Sequence, residues 1–100
     1  MEFKHIEEYT EIYENHKQVI EEFRASLEKL QESYKEYRKL VDYYDSEQFI
    51  IDFNKSNNNE IDPEINQWIL TEDAIYDLIG DNYHLAIDLL TVATDMIKNN

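Results

Sequence analysis

Two carboxylate–histidine pairs have a spacing that could bind a metal ion. Glu2-x-x-His5 and Asp81-x-x-His84 each place a carboxylate and an imidazole about one helical turn apart, like the ligand pairs of di-iron helical bundles. Such a site also needs carboxylates that point inward from facing helices. The inward positions here are apolar or Tyr, with one exception, His16. A histidine at such a position is more typical of a core or interface imidazole than of a metal ligand. We therefore expect no bound metal.

The segment from Asp52 to Pro63 resembles a calcium-binding loop, because oxygen-bearing side chains occupy alternate positions. A calcium loop needs glycine at its sixth position and a bidentate glutamate at its twelfth. Those positions hold Asn57 and Pro63. A solvated polar loop is the better interpretation, and weak binding of a divalent ion stays open.

The sequence lacks the residues that common catalytic sites require. It has no cysteine, and no serine lies in a Gly-x-Ser-x-Gly turn. Loops that bind phosphate need several glycines, whereas Gly80 is the single glycine of the chain. We expect neither an enzyme nor a bound cofactor.

The stretch ILTEDAIYDLIGDN, residues 69–82, concentrates acidic side chains. Thr71 is well placed as a helix N-cap, and Glu72 and Asp73 would then lie in the first turn, where the helix dipole favours negative charge. A second interpretation stays open. Asp73, Asp77 and Asp81 recur every four residues on one helix face and could bind a partner.

The net charge of −14 is unevenly distributed. Residues 1–45 carry 12 acidic and 7 basic side chains, net −5, and residues 46–100 carry 11 acidic and 2 basic, net −9. A field of this sign repels nucleic acid and anionic lipid. We expect no direct nucleic-acid binding and no membrane binding. The acidity either keeps a small protein in solution or attracts a basic partner.

Composition predicts an all-α protein. Gly and Pro each occur once among 100 residues, too few for the turns of a sandwich or barrel. The length suits one domain over residues 1–100. The absence of cysteine fits a reducing compartment, and no apolar run approaches a membrane span or a signal peptide. We expect a soluble, cytoplasmic protein.

A regular apolar pattern predicts one long helix over residues 1–45. Its positions alternate steps of three and four residues, as in the seam of a coiled coil. Half of them are Tyr or His, so hydroxyls and imidazole reach the edges of the seam. The positions are Ile6, Tyr9, Tyr13, His16, Ile20, Phe23, Leu27, Leu30, Tyr34, Tyr37, Val41 and Tyr44.

A second pattern of threes and fours predicts a C-terminal helix over residues 71–98, packed antiparallel on the first as a helical hairpin or coiled-coil-like bundle. The second helix is too short to cover the N-terminal arm, residues 3–19. We expect the arm to pair with a second copy as a homodimer or to fold back near residues 25–26. Its anchors would be Phe3, Ile6, Tyr9 and Tyr13.

The intervening residues 46–70 predict short helices. Asp45 or Ser46 would cap the first, which would run through Phe53, followed by a polar loop over residues 55–59. Asp62 and Pro63 would start another turn that continues through Trp68. Apolar residues of these pieces would fill the closed end of the hairpin: Phe49, Ile50, Phe53, Ile65, Trp68, Ile69 and Leu70.

Residues 41–85 resemble a family of small bacterial proteins known only as a domain of unknown function. The family pattern has a Tyr-Tyr-x-Ser step, an aromatic-x-x-Asp segment, an acidic loop and a Leu-Ser-Glu-Asp-x-Leu-Tyr-Asp-Leu run. The chain departs from it at Phe49, where the family commonly has Trp, and at Asp62-Pro63. The matching residues are Tyr43, Tyr44, Ser46, Asp52, Leu70, Thr71, Glu72, Asp73, Tyr76, Asp77, Leu78 and Asn82. The resemblance implies a helical fold and no known activity.

Two functional interpretations follow. The first is a non-catalytic protein-binding module, itself a homo-oligomer, whose Tyr-rich helices supply the contacts, since aromatic side chains dominate such interfaces. The alternative is an acidic inhibitor, either a DNA mimic of a mobile element or an immunity-type partner of a basic protein.

Overall fold

The computed structural model describes residues 2–99 and is all-α within them. Three α-helices follow one another along the chain: α1 (Lys4–Tyr44), α2 (Glu47–Asn57) and α3 (Ala74–Lys98). A short 3-10 turn, Trp68–Leu70, precedes α3. The predicted fold class, with a long N-terminal and a long C-terminal helix, is confirmed. The chain divides into two compact units, one up to Arg38 and one from Lys39 onwards.

The first helix is unbroken from Lys4 to Tyr44. It comprises 41 residues, which at 1.5 Å per residue gives a length of about 60 Å. Glu, Lys, Leu and Gln favour this continuity, and Gly and Pro are absent from the segment. The alternative in which the arm folds back near Ala25 and Ser26 is wrong, because both residues are helical.

The second helix begins where its sequence predicts. Ser46 has extended backbone angles, φ −93° and ψ 160°, and its hydroxyl oxygen accepts a hydrogen bond from the Phe49 amide at 3.3 Å. The same hydroxyl donates to the Tyr43 carbonyl at 2.6 Å. One serine therefore ends α1 and starts α2, because it satisfies a free carbonyl of the first helix and a free amide of the second.

The end of α2 differs from the prediction. The helix continues to Asn57, so the polar loop expected from Lys55 starts three residues later. Asn59 adopts a left-handed conformation with φ 57°. Its amide donates to Ser56 O at 3.1 Å, and the Glu60 amide donates to Lys55 O at 2.9 Å. This is the Schellman arrangement, in which a residue of positive φ lets the chain reverse onto the last carbonyls.

The predicted helical turn from Asp62 through Trp68 is wrong. Asp62 supports a single turn, with its carboxylate accepting from the Glu64 amide and its carbonyl accepting from the Ile65 amide, each at 3.0 Å. The Asn66 side chain then accepts from the Trp68 amide at 3.1 Å. Short polar side chains that bind nearby amides compete with helical hydrogen bonds, so the segment stays irregular up to the 3-10 turn.

The start of α3 also corrects a prediction. Thr71 is not its N-cap, because the Thr71 hydroxyl donates backwards to Trp68 O at 2.7 Å. The helix begins at Ala74 with Asp73 at the N-cap position, where the aspartate side chain makes no capping hydrogen bond. Glu72 and Asp73 therefore precede the first turn, and Asp77 is its acidic residue.

The core of the second unit is small and centres on the 3-10 turn, which contacts both α2 and α3. Leu70 of the turn and Ile75 of α3 are buried, with Ile75 at 2% exposure. Phe49 and Phe53 of α2 are half-buried. The wider apolar plug expected from residues 46–70 is only partly formed, since Trp68 keeps 72% of its surface exposed. Ile50, Ile65 and Ile69 are likewise exposed.

The apolar seam of α3 is mostly exposed beyond its first residue, and Asn82 and Leu89 in it are half-buried. Leu78, Leu85, Val92 and Met96 all count among the exposed large side chains. Within Lys4–Tyr44 no residue of α1 is buried. The antiparallel packing of the two long helices and their assignment to a single domain stay predictions.

Candidate interaction surfaces

The N-terminal arm presents an exposed apolar surface, which we call the arm seam and define as Phe3, Ile6, Tyr9 and Tyr13. Phe3 and Tyr9 are each 68% exposed, Tyr13 is 64% and Ile6 is 53%. His5 packs edge-on against Tyr9, with ring centroids 6.5 Å apart. Ile6, Tyr9 and Tyr13 thus share one face of α1, Phe3 lies in the turn just before the helix, and all four predicted anchors are exposed in the single chain.

The arm seam continues along α1 as more exposed apolar side chains. Phe23 keeps 53% of its surface exposed, and the exposed fraction falls to 37% at Leu27. Ile12 and Val19 flank the seam on one side. The members of this continuation are Ile12, Val19, Ile20, Phe23 and Leu27. An apolar strip of this length is what an interface core requires.

The acidic stripe, defined as Asp73, Asp77 and Asp81, is exposed at all three residues. Asp73 lies before the helix and the other two lie on it. Asp77 and Asp81 border a shallow surface depression of α3 together with Tyr76, Gly80 and His84. Gly80 leaves open space there, since a β-carbon would meet no atom within 4 Å. The depression exposes carboxylates and aromatic rings together.

The junction of α1 and α2 contains a cluster of polar and aromatic contacts. The Tyr43 hydroxyl donates to Asp52 Oδ2 at 2.6 Å, and Gln48 Nε2 donates to Asp52 Oδ1 at 2.8 Å. Phe49 stacks edge-on with Tyr43 at 5.6 Å and with Tyr44 at 5.0 Å between ring centroids. Both carboxylate oxygens of Asp52 are thereby satisfied, so this junction is a structural latch.

The two partners of the latch have shifted pKa values in opposite directions. Burial raises the pKa of Tyr43 to about 12, and the hydrogen bond to Asp52 and its negative charge add to the shift. The pKa of Asp52 is lowered, first by the hydrogen bond from Tyr43 and then by that from Gln48. Both shifts favour a neutral phenol beside an ionised carboxylate.

A second polar contact ties the last turn of α2 to Gln67, the residue before the 3-10 turn. The Ser56 hydroxyl donates to Gln67 Oε1 at 2.6 Å, and Gln67 Nε2 donates to the Asp62 carbonyl at 3.1 Å. Sequence reasoning did not single out Gln67 or the partnership of Tyr43 with Asp52. Tyr43 and Asp52 are nine residues apart, which is not a helical repeat. Only the family resemblance pointed to these two residues.

The residues considered for metal binding do not form a group of three ligands in the part that the structure describes. Among residues 2–99, no three His, Cys, Asp or Glu side chains lie close enough to hold a metal ion together. The first half of the calcium-like segment, up to Asn57, is helical and has no loop geometry. His16 is exposed on α1. None of the helices in the described part of the chain is long and apolar enough to cross a membrane.

Comparison with known proteins identifies one relationship. The sequence profile of a family described as a domain of unknown function, DUF4298, matches residues 6–92. The chain belongs to this family. The match includes the arm seam from Ile6 onwards, the latch and most of α3. It is therefore longer than residues 41–85, in which the sequence resembles the family pattern. Neither curated proteins nor solved structures give a match.

Proposed function

We propose that this protein is a non-catalytic protein–protein interaction module that acts through its helical, Tyr-rich surfaces. It associates with itself in the cytoplasm, as a homodimer. The observation that carries the proposal is the arm seam, where Ile6, Tyr9 and Tyr13 each expose more than half of their surface. Covering one such side chain contributes about 1.5–3 kcal/mol.

The helical conformation of the arm supports the same proposal. The helix persists over residues 4–19 although no residue there is buried. An isolated helix of this length is marginal in water, because its stability in proteins comes mostly from packing of one face. A partner that covers the arm seam would supply that packing. Membership in the family supports a role for the arm, since the family match includes it.

Light scattering during size exclusion tests this proposal. The wild type at tens of micromolar is expected at twice the 12.1 kDa chain mass. The double variant Ile6→Glu, Tyr13→Glu places charge on the arm seam and is expected to elute as a monomer. The matched control Asn15→Glu, Ala25→Glu adds the same charge on the opposite face and should remain dimeric. A monomeric wild type overturns self-association.

The acidic stripe supports a second candidate, an inhibitor that binds a basic protein or mimics DNA. Asp73, Asp77 and Asp81 are all exposed, and residues 46–100 carry a net charge of −9. Attraction through exposed charge is screened at about 0.5 M salt. A partner captured at low salt should therefore dissociate there and fail to bind the Asp→Asn triple variant. Retention at high salt overturns this candidate.

A further inference from the structure

We infer that the occupant of the arm is the C-terminal helix of a second copy, docked parallel to α1. This inference rests on the proposed self-association and specifies its geometry. Residues 9–27 of one copy would pair with residues 78–96 of the other. Three observations carry it: the charges along the edges of both seams, the exposure of both seams, and the position of one asparagine.

The edges of the α1 seam differ in character. In a heptad numbering with Ile6 at position a and Tyr9 at position d, the e edge carries Lys17, Arg24 and Arg38. The g edge carries Ile12, Val19 and Ser26. All of these side chains are exposed. The α1 seam therefore has one basic edge and one edge of apolar or small residues.

The edges of the α3 seam complement those of the α1 seam in charge and polarity. With Leu78 at position d, the g edge carries Asp81, Asp88 and Asp95, all exposed. The e edge carries Ile79, Ala86 and Ala93. Most of the seam between these edges is open to solvent, with Val92 56% and Met96 62% exposed, whereas Asn82 and Leu89 are half-buried. The α3 seam therefore has one acidic edge and one apolar edge.

Parallel pairing of α1 with α3 matches both pairs of edges. In parallel coiled coils the e edge of one helix faces the g edge of the other, and the charges there select the partner. Lys17 would face Asp81 and Arg24 would face Asp88. On the other side, Ile12 would face Ala86 and Val19 would face Ala93.

The other pairings of these helices mismatch. Antiparallel pairing of α1 with α3 would put edges of the same letter together, so that Ile12 and Val19 face aspartates. The inferred pair therefore takes the place of the antiparallel hairpin expected from the sequence, because both use the same α3 seam. Antiparallel α1 with α1 opposes basic edges, and antiparallel α3 with α3 opposes acidic ones. Parallel pairing of α1 with α1, or of α3 with α3, would place the charged edge of each helix against the apolar or small edge of the other. Among these pairings, only the parallel α1–α3 pair joins unlike charges along an edge, at Lys17 with Asp81 and at Arg24 with Asp88.

One asparagine selects the register. Asn82 lies at an a position of the α3 seam and is half-buried, and a polar residue at a single a position fixes register in coiled coils. In the inferred register Asn82 faces Tyr13, whose hydroxyl can pair with the amide. A shift by one heptad in either direction would place Asn82 against Ile6 or Ile20 instead.

A second copy must supply the α3 of this pair. Tyr44 at the end of α1 and Ile75 at the start of α3 both belong to the unit from Lys39 onwards. Parallel pairing inside one chain would require their connection to run back along about 57 Å of helix, from Tyr44 to Ile6. That connection is folded into α2 and the 3-10 turn of the same unit.

Charge reversal on either edge tests the inference. One variant carries Lys17→Glu and Arg24→Glu, and the other carries Asp81→Lys and Asp88→Lys. Each alone is expected to dimerise about tenfold or more weakly than the wild type, measured by analytical ultracentrifugation, because like charges then face each other. An equimolar mixture restores a dimer of near wild-type affinity, since both α1–α3 pairs of the mixed dimer are matched. The control Glu14→Lys, Glu21→Lys reverses charge away from the seam edges and leaves affinity within about threefold.

The outcomes separate this inference from the proposed function. A wild type that stays monomeric overturns both. A dimeric wild type whose affinity is unchanged by reversal on α3 overturns the inference alone and indicates contact between two α1 helices. Failure of the mixture to recover, with both variants folded by circular dichroism, also overturns it.

Discussion

The Tyr43 hydroxyl and the Asp52 carboxylate meet at 2.6 Å and join the end of α1 to the middle of α2. Ser46 sits between these residues and serves both helices at once. The angle at which the chain leaves the long helix is therefore set by one latch and one cap. Disrupting either should loosen the second unit while leaving the arm helical.

Tyr43→Phe should lower thermal stability by roughly 4 °C, because it removes the hydrogen bond and keeps the ring contacts with Phe49. Asp52→Asn should act through the same contact. The double variant should therefore lose less than the sum of the two single losses. Thermal unfolding followed by circular dichroism measures all three, and strictly additive losses would show that the latch carries no coupling.

The pH dependence of the latch has a defined sign at its acidic end. Because the folded pKa of Asp52 lies below the ordinary value of 3.8, its contribution is present above about pH 4 and is lost as the pH falls through the folded pKa. The difference in melting temperature between the wild type and Asp52→Asn should shrink from pH 5 towards about pH 2. A difference that is constant over this window would contradict the shift.

Ionisation of Tyr43 gives a spectroscopic signal at the alkaline end. Its pKa of about 12 means that the folded chain keeps this phenol protonated where an unfolded tyrosine near pKa 10 has lost its proton. The stabilisation is thus present below pH 10 and is lost as the pH rises through 12. Absorbance at about 295 nm should show a late titration step that belongs to Tyr43. Tyr43→Phe should remove that step, and Tyr76→Phe should leave it.

Ser46→Ala should destabilise the chain by about 1 kcal/mol, because the Phe49 amide loses its side-chain cap and the Tyr43 carbonyl loses its bond from the hydroxyl, keeping only that from the Ser46 amide. Urea unfolding gives the free energy directly. Ser33→Ala, on the exposed surface of α1, is the matched control and should be neutral or slightly stabilising, since alanine is the better helix former. Equal effects at the two serines would rule out the double role of Ser46.

Asn59→Ala should cost about 1 kcal/mol, because the left-handed φ of 57° is unfavourable for a residue with a β-carbon and no local hydrogen-bonding group. Asn59→Gly should preserve or raise stability. The neighbouring Asn58 has φ −91°, so Asn58→Ala is a control of equal chemistry and smaller expected effect. Urea unfolding of the three variants measures the order, and a larger loss at Asn58 would be inconsistent with this backbone geometry.

Sequence by itself determined the elements that depend on local interactions. The three-four spacing and the absence of Gly and Pro predict α1, and Asp45 or Ser46 predicts the start of α2, because helix propensity and capping act within a few residues. The exposure of the arm seam also follows from sequence, since the remaining chain is too short to cover so long a helix. The exposed acidic stripe is predicted by its charge.

Only the tertiary structure decided how the elements within the second unit contact one another. Thr71 and Asp62 both have the chemistry of helix starts, yet Thr71 bonds backwards to Trp68 and Asp62 supports a single turn. Leu70 and Ile75 are buried in the core of this unit. Their burial competes with the tendency of Thr71 and Asp62 to start helices. The Tyr43–Asp52 contact likewise joins residues of two helices at a spacing that no helical repeat predicts. Contacts between separate elements depend on where the chain turns, and here that depends on packing around the 3-10 turn, which no short stretch of sequence encodes.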